Sequence, residues 1–362
     1  MEKGKTRILA TLFAILAAAL YAINVPMSKV LLEHVQPTMM AAFLYLGAGV
    51  GSWIYDVIVT LLGKKQKQEH LTKKELPYTI AMVLLDIAAP IFLMMGILRT
   101  NSANVSLLNN FEIVATSIIA LVIFKEVISK RLWFAIVLVI ISSVLLSFEG
   151  DGAFVFNEGS LYVLGACICW GFENNCTKMI SNKSSTEIVT IKGIFSGLGS
   201  LIIGIVMGET VPELSWLAIV LVLGFVSYGL SINFYIKAQK DLGAAKTSAY
   251  YSVAPFLGVL FSIVLVGERP QIRFFIAFFI MIVATIFMIL DSIALQHTHE
   301  HMHTHTHAHS HGEYVHVHEH SHIHSHQHVH EMEEGEHSHV HNDKELYAHE
   351  HTVHNHSHDE IA

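Results

Sequence analysis

Two sets of residues in this 362-residue chain could do chemistry. The first is histidine, of which residues 297–362 hold 24 of the 26 present. His297, His299, His301, His303, His305, His307, His309 and His311 fall at every other position. So do His316, His318, His320, His322, His324, His326, His328 and His330. Neutral imidazole is a common ligand for Zn²⁺, Ni²⁺ and Cu²⁺. Side chains two apart share one side of an extended chain, so this spacing lines up interchangeable ligands for a divalent ion such as Zn²⁺ or Ni²⁺. Twelve acids against the single base Lys344 add oxygen ligands and a field that attracts cations. No six-histidine run occurs, which argues against a purification tag. So polar a segment has too few apolar residues for a core and is expected to be disordered. The plainer alternative is a solvated tail with no role of its own. The second set is Asp86, Glu112, Glu173 and Lys192, four ionisable groups in apolar surroundings.

The elements that must position this second set are membrane spans. Hydrophobic residues make up 52% of the chain and charged residues 14%, even with the tail included. Windows of about 20 apolar residues, enough to cross about 30 Å of hydrocarbon, recur ten times. They cover roughly 8–32, 38–62, 77–98, 101–124, 132–148, 160–180, 186–207, 214–237, 243–266 and 273–294. The expected fold is an all-α integral membrane protein with ten transmembrane helices and a disordered tail. The expected domains are 8–148, 160–294 and the tail at 296–362. With the N-terminus inside, sixteen Lys and Arg collect on inner segments and only Lys29, Arg99, Arg269 and Arg273 on outer ones. Positive residues favour the cytoplasmic side, so both termini are expected there. A bacterial plasma membrane is the expected location.

Residues 102–135 can be laid on residues 244–277 at a constant offset of 142, matching Ala103 with Ala245, Ser106 with Ser248, Glu126 with Glu268 and Arg131 with Arg273. Tyr21 to Lys29 resembles Trp170 to Lys178 at an offset of 149. Five spans per repeat force the second copy to sit upside down, the architecture of alternating-access carriers with a midplane site between the halves.

A charge near the bilayer centre costs about 2.5–3.5 kcal/mol on insertion scales, so it usually faces a cavity or a partner. The spans put Asp86 and Glu112 near the midplane, Glu173 within a turn of it and Lys192 about one turn away. Three acids against one lysine suit a cationic or zwitterionic substrate, or a coupling proton. Glu112 has the alternative of simply bonding a neighbouring helix. Asn24, Asn109, Tyr228 and Asn233 are further candidate cavity residues, with Tyr250 or Tyr251. Pro26, Pro90 and Pro255 are expected to interrupt spans one, three and nine, each removing a helix hydrogen bond and freeing a carbonyl. Lys29 and Lys178, at equivalent positions, read as positional anchors that snorkel to opposite interfaces. Gly193, Gly197, Gly199 and Gly204, with Gly47 and Gly51, read as sites of close helix contact. Cys167, Cys169 and Cys176 lie in one apolar span with neither zinc nor disulfide spacing.

The stretch Asn101-Ser-Ala-Asn-Val-Ser-Leu-Leu-Asn-Asn-Phe-Glu112, ending Lys-Glu126-Val-Ile-Ser-Lys-Arg131-Leu-Trp133, resembles the end of an EamA-type domain. Leu242-Gly-Ala-Ala-Lys-Thr-Ser, with Ala254-Pro255, Gly267-Glu268-Arg and Arg273, resembles the end of a second. The resemblance covers about 8–294 and implies a member of the drug/metabolite transporter superfamily, with ten helices, cytoplasmic termini and transport of small metabolites, often export. The chain departs from that pattern at Ile113, where proline is frequent, and at Glu173, where asparagine is common.

No phosphate-binding G-x-x-x-x-G-K-[ST] loop or nucleophile–base spacing occurs, so neither ATP drive nor an enzyme is expected. The basic loop Lys64–Lys74 reads as a topology determinant, so no nucleic-acid partner is expected. The expected partners are a small-molecule substrate, the lipid bilayer and divalent metal ions. No cofactor is required beyond metal on the tail. The leading expectation is a secondary exporter of a small organic metabolite. The alternatives are a Zn²⁺, Ni²⁺ or Co²⁺ transporter and a membrane-anchored metal store or sensor.

Overall fold

The computed structural model describes every residue except 1, 63–68, 126–127, 150–154, 182, 243, 295–297, 312–313 and 328–362. The chain divides into two units, Met1–Gln296 and His297–Ala362. In the first, helices follow one another as α1 (Glu2–Ala22), α2 (Asn24–Leu31), α3 (Pro37–Leu61), α4 (Leu76–Arg99), α5 (Ser102–Leu108), α6 (Phe111–Phe124) and α7 (Lys130–Ser147). A short hairpin of β1 (Phe148–Glu149) and β2 (Val155–Phe156) leads to the second half. There follow α8 (Glu158–Met179), α9 (Ser185–Val206), α10 (Leu214–Gly224), α11 (Ser231–Leu242), α12 (Ala244–Tyr251), α13 (Ala254–Phe261) and α14 (Ile272–Ala294). A π-helical turn, Phe225–Leu230, joins α10 to α11, and a second, Ser262–Val266, extends α13.

Among the described residues, nine helical segments are long and apolar enough to cross a membrane. The stretch read at 160–180 is a helix of 22 residues, α8, but falls outside that group. Glu173, Asn174 and Asn175 make it more polar than its neighbours. Leu, Ile, Val and Phe side chains stand exposed along the outer faces of most helices, as a hydrocarbon environment requires.

Three spans are interrupted by turns. Span one breaks at Ile23, because Pro26 has no N–H for the Ala22 carbonyl. Span nine breaks at Ser252–Val253, where Pro255 deprives the Tyr251 carbonyl in the same way. Span four breaks at Asn109–Asn110 without any proline. Tighter bonds close this turn, Glu112 N–H to Asn109 O at 3.1 Å and Ile113 N–H to Asn110 O at 3.1 Å. Ile113 therefore does not abolish the break. Pro90 corrects the expectation for span three. Helix α4 runs through it unbroken, since packing of α4 on α8 and α9 holds the turn together and only the bond to the Asp86 carbonyl is missing.

Helix pairings come in matched sets. α3 packs on α9, and α7 on α14. α1 packs on α11 as α8 packs on α4; α6 packs on α8 as α12 and α13 pack on α1. Exchanging the helices of the first half, in order, for those of the second maps this set of pairings onto itself. The connections obey the same exchange. At one end of the bundle, Glu69 O accepts from Ser184 N–H (2.9 Å) and Glu187 Oε2 from Leu71 N–H (3.3 Å), so the loop before α4 lies on the start of α9. At the other end, the loop before α10 lies on the start of α3. There the Glu209 carboxylate accepts from Thr38 N–H (3.2 Å) and Met39 N–H (2.8 Å). Ser129 bonds the Asp291 carboxylate, which joins the start of α7 to the end of α14.

In the second unit, β3 (Thr298–His311) pairs antiparallel with β4 (Tyr314–Gln327). The tail expected to be disordered is therefore a two-stranded ribbon over these residues. Its strict period of two, with Thr, Val and Ile between the histidines, meets the demands of a strand without needing an apolar core. His297, His328 and His330 lie outside the described residues.

Candidate functional site

The charged residues converge where α3, α4, α8 and α9 meet. Lys192 Nζ on α9 lies 3.1 Å from Asp86 Oδ2 on α4 and 3.0 Å from Glu173 Oε1 on α8. Tyr45 on α3 donates its hydroxyl to Asp86 Oδ1 at 3.1 Å, and Trp170 Nε1 donates to the Tyr45 oxygen at 3.3 Å. Thr177 donates to the Glu173 carboxylate. Asp86 and Glu173 are 0% and 1% exposed, whereas the Lys192 side chain is 26% exposed. The carboxylates are thus reached through the lysine.

Backbone contact fixes that lysine. Gly193 lies against Gly49, and a Cβ there would sit 2.4 Å from the Gly49 backbone. Absence of both side chains lets α9 approach α3 closely enough for Lys192 to reach across to α4 and α8.

A cavity of about 170 Å³ opens beside the group, lined by Tyr21, Tyr45, Glu112, Trp170, Glu173, Asn174, Val189, Lys192, Tyr228 and Tyr251 among others. This is smaller than the roughly 300–1,000 Å³ of drug-sized ligand sites, and fits a small metabolite. Glu112 accepts from Asn174 Nδ2 at 2.7 Å, and Asn174 also donates to Thr116 Oγ1 at 3.2 Å. The other wall is aromatic: the Tyr228 ring lies 5.9 Å from Tyr21 and 5.6 Å from Tyr45, and Tyr21 lies 5.8 Å from Tyr251. Tyr228 belongs to the π turn, whose extra residue changes the direction of the side chains after it.

Of the residues singled out in the sequence, Glu112, Glu173, Lys192 and Tyr228 line this cavity. Asp86 stands behind Lys192, bonded to Tyr45. Asn24 donates to Tyr228 at 2.9 Å, but with Asn109 it lines a separate space of about 20 Å³ against Pro255 and Gly258. Asn233, on α11, donates its side-chain amide to the Gly229 carbonyl of the π turn at 2.8 Å and is not among the cavity residues. Tyr251 lines the cavity, and Tyr250 is exposed. Tyr45 was missed. Tyr21 and Trp170 were noticed only as matched repeat positions, and two aromatics at equivalent places in a repeat were the available signal.

A larger cavity of about 600 Å³ lies by Asn101, Asn104, Glu268, Gln271 and Arg273 at span ends. Its carboxylate is already committed: Glu268 accepts from Ser102 N–H (2.7 Å), Ser102 Oγ (2.7 Å) and Ala103 N–H (2.8 Å) at the start of α5. Nearby, Lys29 Nζ donates to the Ile97 and Thr100 carbonyls (2.6 and 2.8 Å) at the end of α4, an anchoring role. Among the described residues, no group of three or more His, Cys, Asp or Glu could hold a metal ion.

Residues 8–148 and 157–290 each match the model of the EamA-like transporter family. The chain belongs to this family. It is 24% identical over 270 residues to an uncharacterized transporter of Methanothermobacter thermautotrophicus (strain Delta H), with 70% of this chain and 78% of the relative covered. A crystal structure of another protein superposes with a TM-score of 0.57 at 16% identity, over 80% of this chain and 98% of that one, a likeness of fold. Family and relative mark this EamA-like protein as an integral membrane transporter of a small substrate. They point away from an enzyme.

Proposed function

We propose that this EamA-like transporter is a secondary exporter of a small cationic or zwitterionic organic metabolite, and that Asp86, Lys192 and Glu173 are its exchangeable charge site. The single observation that carries the reading is one partly exposed ammonium shared by two buried carboxylates. With Glu112 beside them, acids outnumber the base by two. A substrate ammonium entering the cavity competes with Lys192 for Glu173, and the aromatic wall offers faces suited to a cation. A substrate carboxylate can take the released lysine. A proton on either acid answers the same deficit and provides a means of coupling.

We read α8 as the tenth span and the halves as inverted repeats, domains 8–148 and 160–294. The exchange of helix pairings and of loop contacts supports this reading. Positive residues assign the end holding Lys183 to the cytoplasm. The cavity extends toward that end, reaching Val189 about one turn from the start of α9, and the opposite end is held by Glu209, Glu268 and Lys29. Loading from the cytoplasm is the first step of export. Metal transport fits less well, because the cavity lining offers carboxylates without histidine or thiolate, a thin ligand set for Zn²⁺, Ni²⁺ or Co²⁺.

An untargeted comparison of metabolites in cells with the wild-type protein and with Glu173→Gln tests the proposal. The expected result is at least one amine-bearing metabolite depleted only with the wild type. A depleted metabolite carrying only negative charge, or none depleted, overturns it. Cysteines introduced at Gly152 and Gly312, with the three native cysteines replaced, test the orientation. Labelling of position 312 by an impermeant reagent in intact cells contradicts it.

A further inference from the structure

The three breaks meet. Ala22 and Asn24 at the break of span one, Asn109 at that of span four, and Pro255 and Gly258 beside that of span nine line one space of about 20 Å³. That volume admits a single species about the size of a water molecule. The polar atoms around it have lone pairs to offer. Asn109 Oδ1 is buried and accepts no hydrogen bond among the described residues. The Ala22 carbonyl has lost its helical donor, because Pro26 lacks an N–H. Ser106 Oγ, also on this lining, gives its proton to the Ser102 carbonyl at 2.8 Å and keeps only acceptor capacity. Gly258 makes the room: a Cβ there would sit 2.8 Å from Ser106 Oγ and 3.5 Å from the Ala22 oxygen. Buried acceptors without a partner are costly inside a membrane protein, so this constellation calls for a cation or a proton donor.

We propose that this space binds one alkali-metal cation, Na⁺ or K⁺, through Asn109 Oδ1, the Ala22 carbonyl and Ser106 Oγ. Hard cations take oxygen ligands, and a set with no carboxylate suits a single charge better than Ca²⁺ or Mg²⁺. Carbonyls released where a membrane helix unwinds coordinate Na⁺ in carriers built from inverted repeats. The ion ties spans one, four and nine together at their breaks. Asn24 connects it to the larger cavity, because its side-chain amide donates to Tyr228 at 2.9 Å, and Tyr21 lines both spaces. Occupancy therefore favours this conformation, and any state that parts the breaks releases the ion. The site is separate from the charge site and does not depend on the transport reading, since ion binding is measured with no metabolite present.

The test uses the full chain in detergent, titrated with NaCl or KCl against choline chloride at constant ionic strength. Thermal unfolding is followed, and retained radioactive sodium is counted per chain, with K⁺ as competitor. The wild type should retain one alkali ion per chain and unfold at a temperature that rises with Na⁺ or K⁺ and not with choline. Asn109→Leu removes a ligand and Gly258→Ala fills the space, so each should weaken binding about tenfold or more. Asn109→Asp supplies a carboxylate and should bind the ion more tightly, a gain that a merely structural asparagine would not give. Glu173→Gln, at the charge site, should leave ion binding nearly unchanged. Stabilisation by choline equal to that by the alkali ions, or no ion held by the wild type, identifies a trapped water and overturns the proposal. Affinity unmoved by the Asn109 variants, or lost in Glu173→Gln, places any ion elsewhere and overturns it as well.

Discussion

Carboxylates do two different jobs in this bundle, and their partners tell the two apart. Glu209 and Glu268 accept from backbone N–H groups at the starts of α3 and α5, donors that cannot leave without unwinding a helix. A carboxylate there also meets the positive end of the helix dipole. Asp86 and Glu173 are held instead by Lys192, a lysine on a flexible stem that the proposed mechanism has another cation replace. The first arrangement fastens two segments together. The second, in the proposed mechanism, holds a charge until a better partner arrives. Glu209 and Glu268 are half-buried where Asp86 and Glu173 are buried, and the mobility of the counter-charge differs with them.

The sharpest way to break the comparison is to remove the mobile partner. Lys192→Met leaves Asp86 and Glu173 buried without their cation, and loss of one member of a buried ion pair typically costs about 3–5 kcal/mol. Thermal unfolding in detergent should show the largest loss of any change considered, with transport abolished. Adding Asp86→Asn should restore part of the stability and none of the transport. A Lys192→Met protein as stable as the wild type would mean that the ion pairs contribute nothing to the fold.

Glu268→Gln tests the fastening role. An amide oxygen can keep part of the bonding to Ser102 and Ala103 but loses the charge, for an expected cost of about 1–3 kcal/mol. Substrate affinity should be nearly unchanged, since this residue lies away from the cavity lined by Lys192. An affinity loss as large as that of Glu173→Gln would erase the distinction drawn above.

Glu112 sharpens it from the middle. It faces the cavity, yet its observed partner is the neutral amide of Asn174. Glu112→Gln should keep that contact if the side-chain amide rotates, lower stability by about 1 kcal/mol or less, and reduce transport less than Asp86→Asn. Measured in the same vesicles, a larger defect at Glu112 would move the exchangeable charge to that residue.

Much of the scaffold was legible in the sequence. Apolar windows place the spans, and Pro26 and Pro255 mark two of the breaks. The break at Asn109–Asn110 was less visible, because its cause is a local turn of i to i−3 bonds and not a proline. Pro90 misled for the converse reason: a proline removes one hydrogen bond, but tertiary packing decides whether the helix parts. The site was legible as a set of ionisable residues and illegible as a set of pairs. Lys192 is distant in sequence from both Asp86 and Glu173, and helical periodicity relates residues only within one helix. Tyr45 sits in an apolar span with nothing local to mark it. The capping roles of Glu209 and Glu268 were hidden likewise, since each caps a helix from the other half of the chain. In the tail, period two pointed to an extended chain, but the pairing of its two histidine blocks is a long-range property that composition obscured.

Substrate protection of a single cysteine tests the central claim most directly. Val189 lines the cavity one turn before Lys192 and is not among the charged groups, so Val189→Cys, with Cys167, Cys169 and Cys176 replaced, leaves the charge site in place. Its labelling by a small thiol reagent is followed with and without the amine-bearing metabolite found in the cell comparison. The account predicts at least tenfold slower labelling at saturating metabolite, and no protection once Glu173→Gln is added. Labelling that the metabolite leaves unchanged in an actively transporting protein would contradict the placement of substrate at Asp86, Lys192 and Glu173.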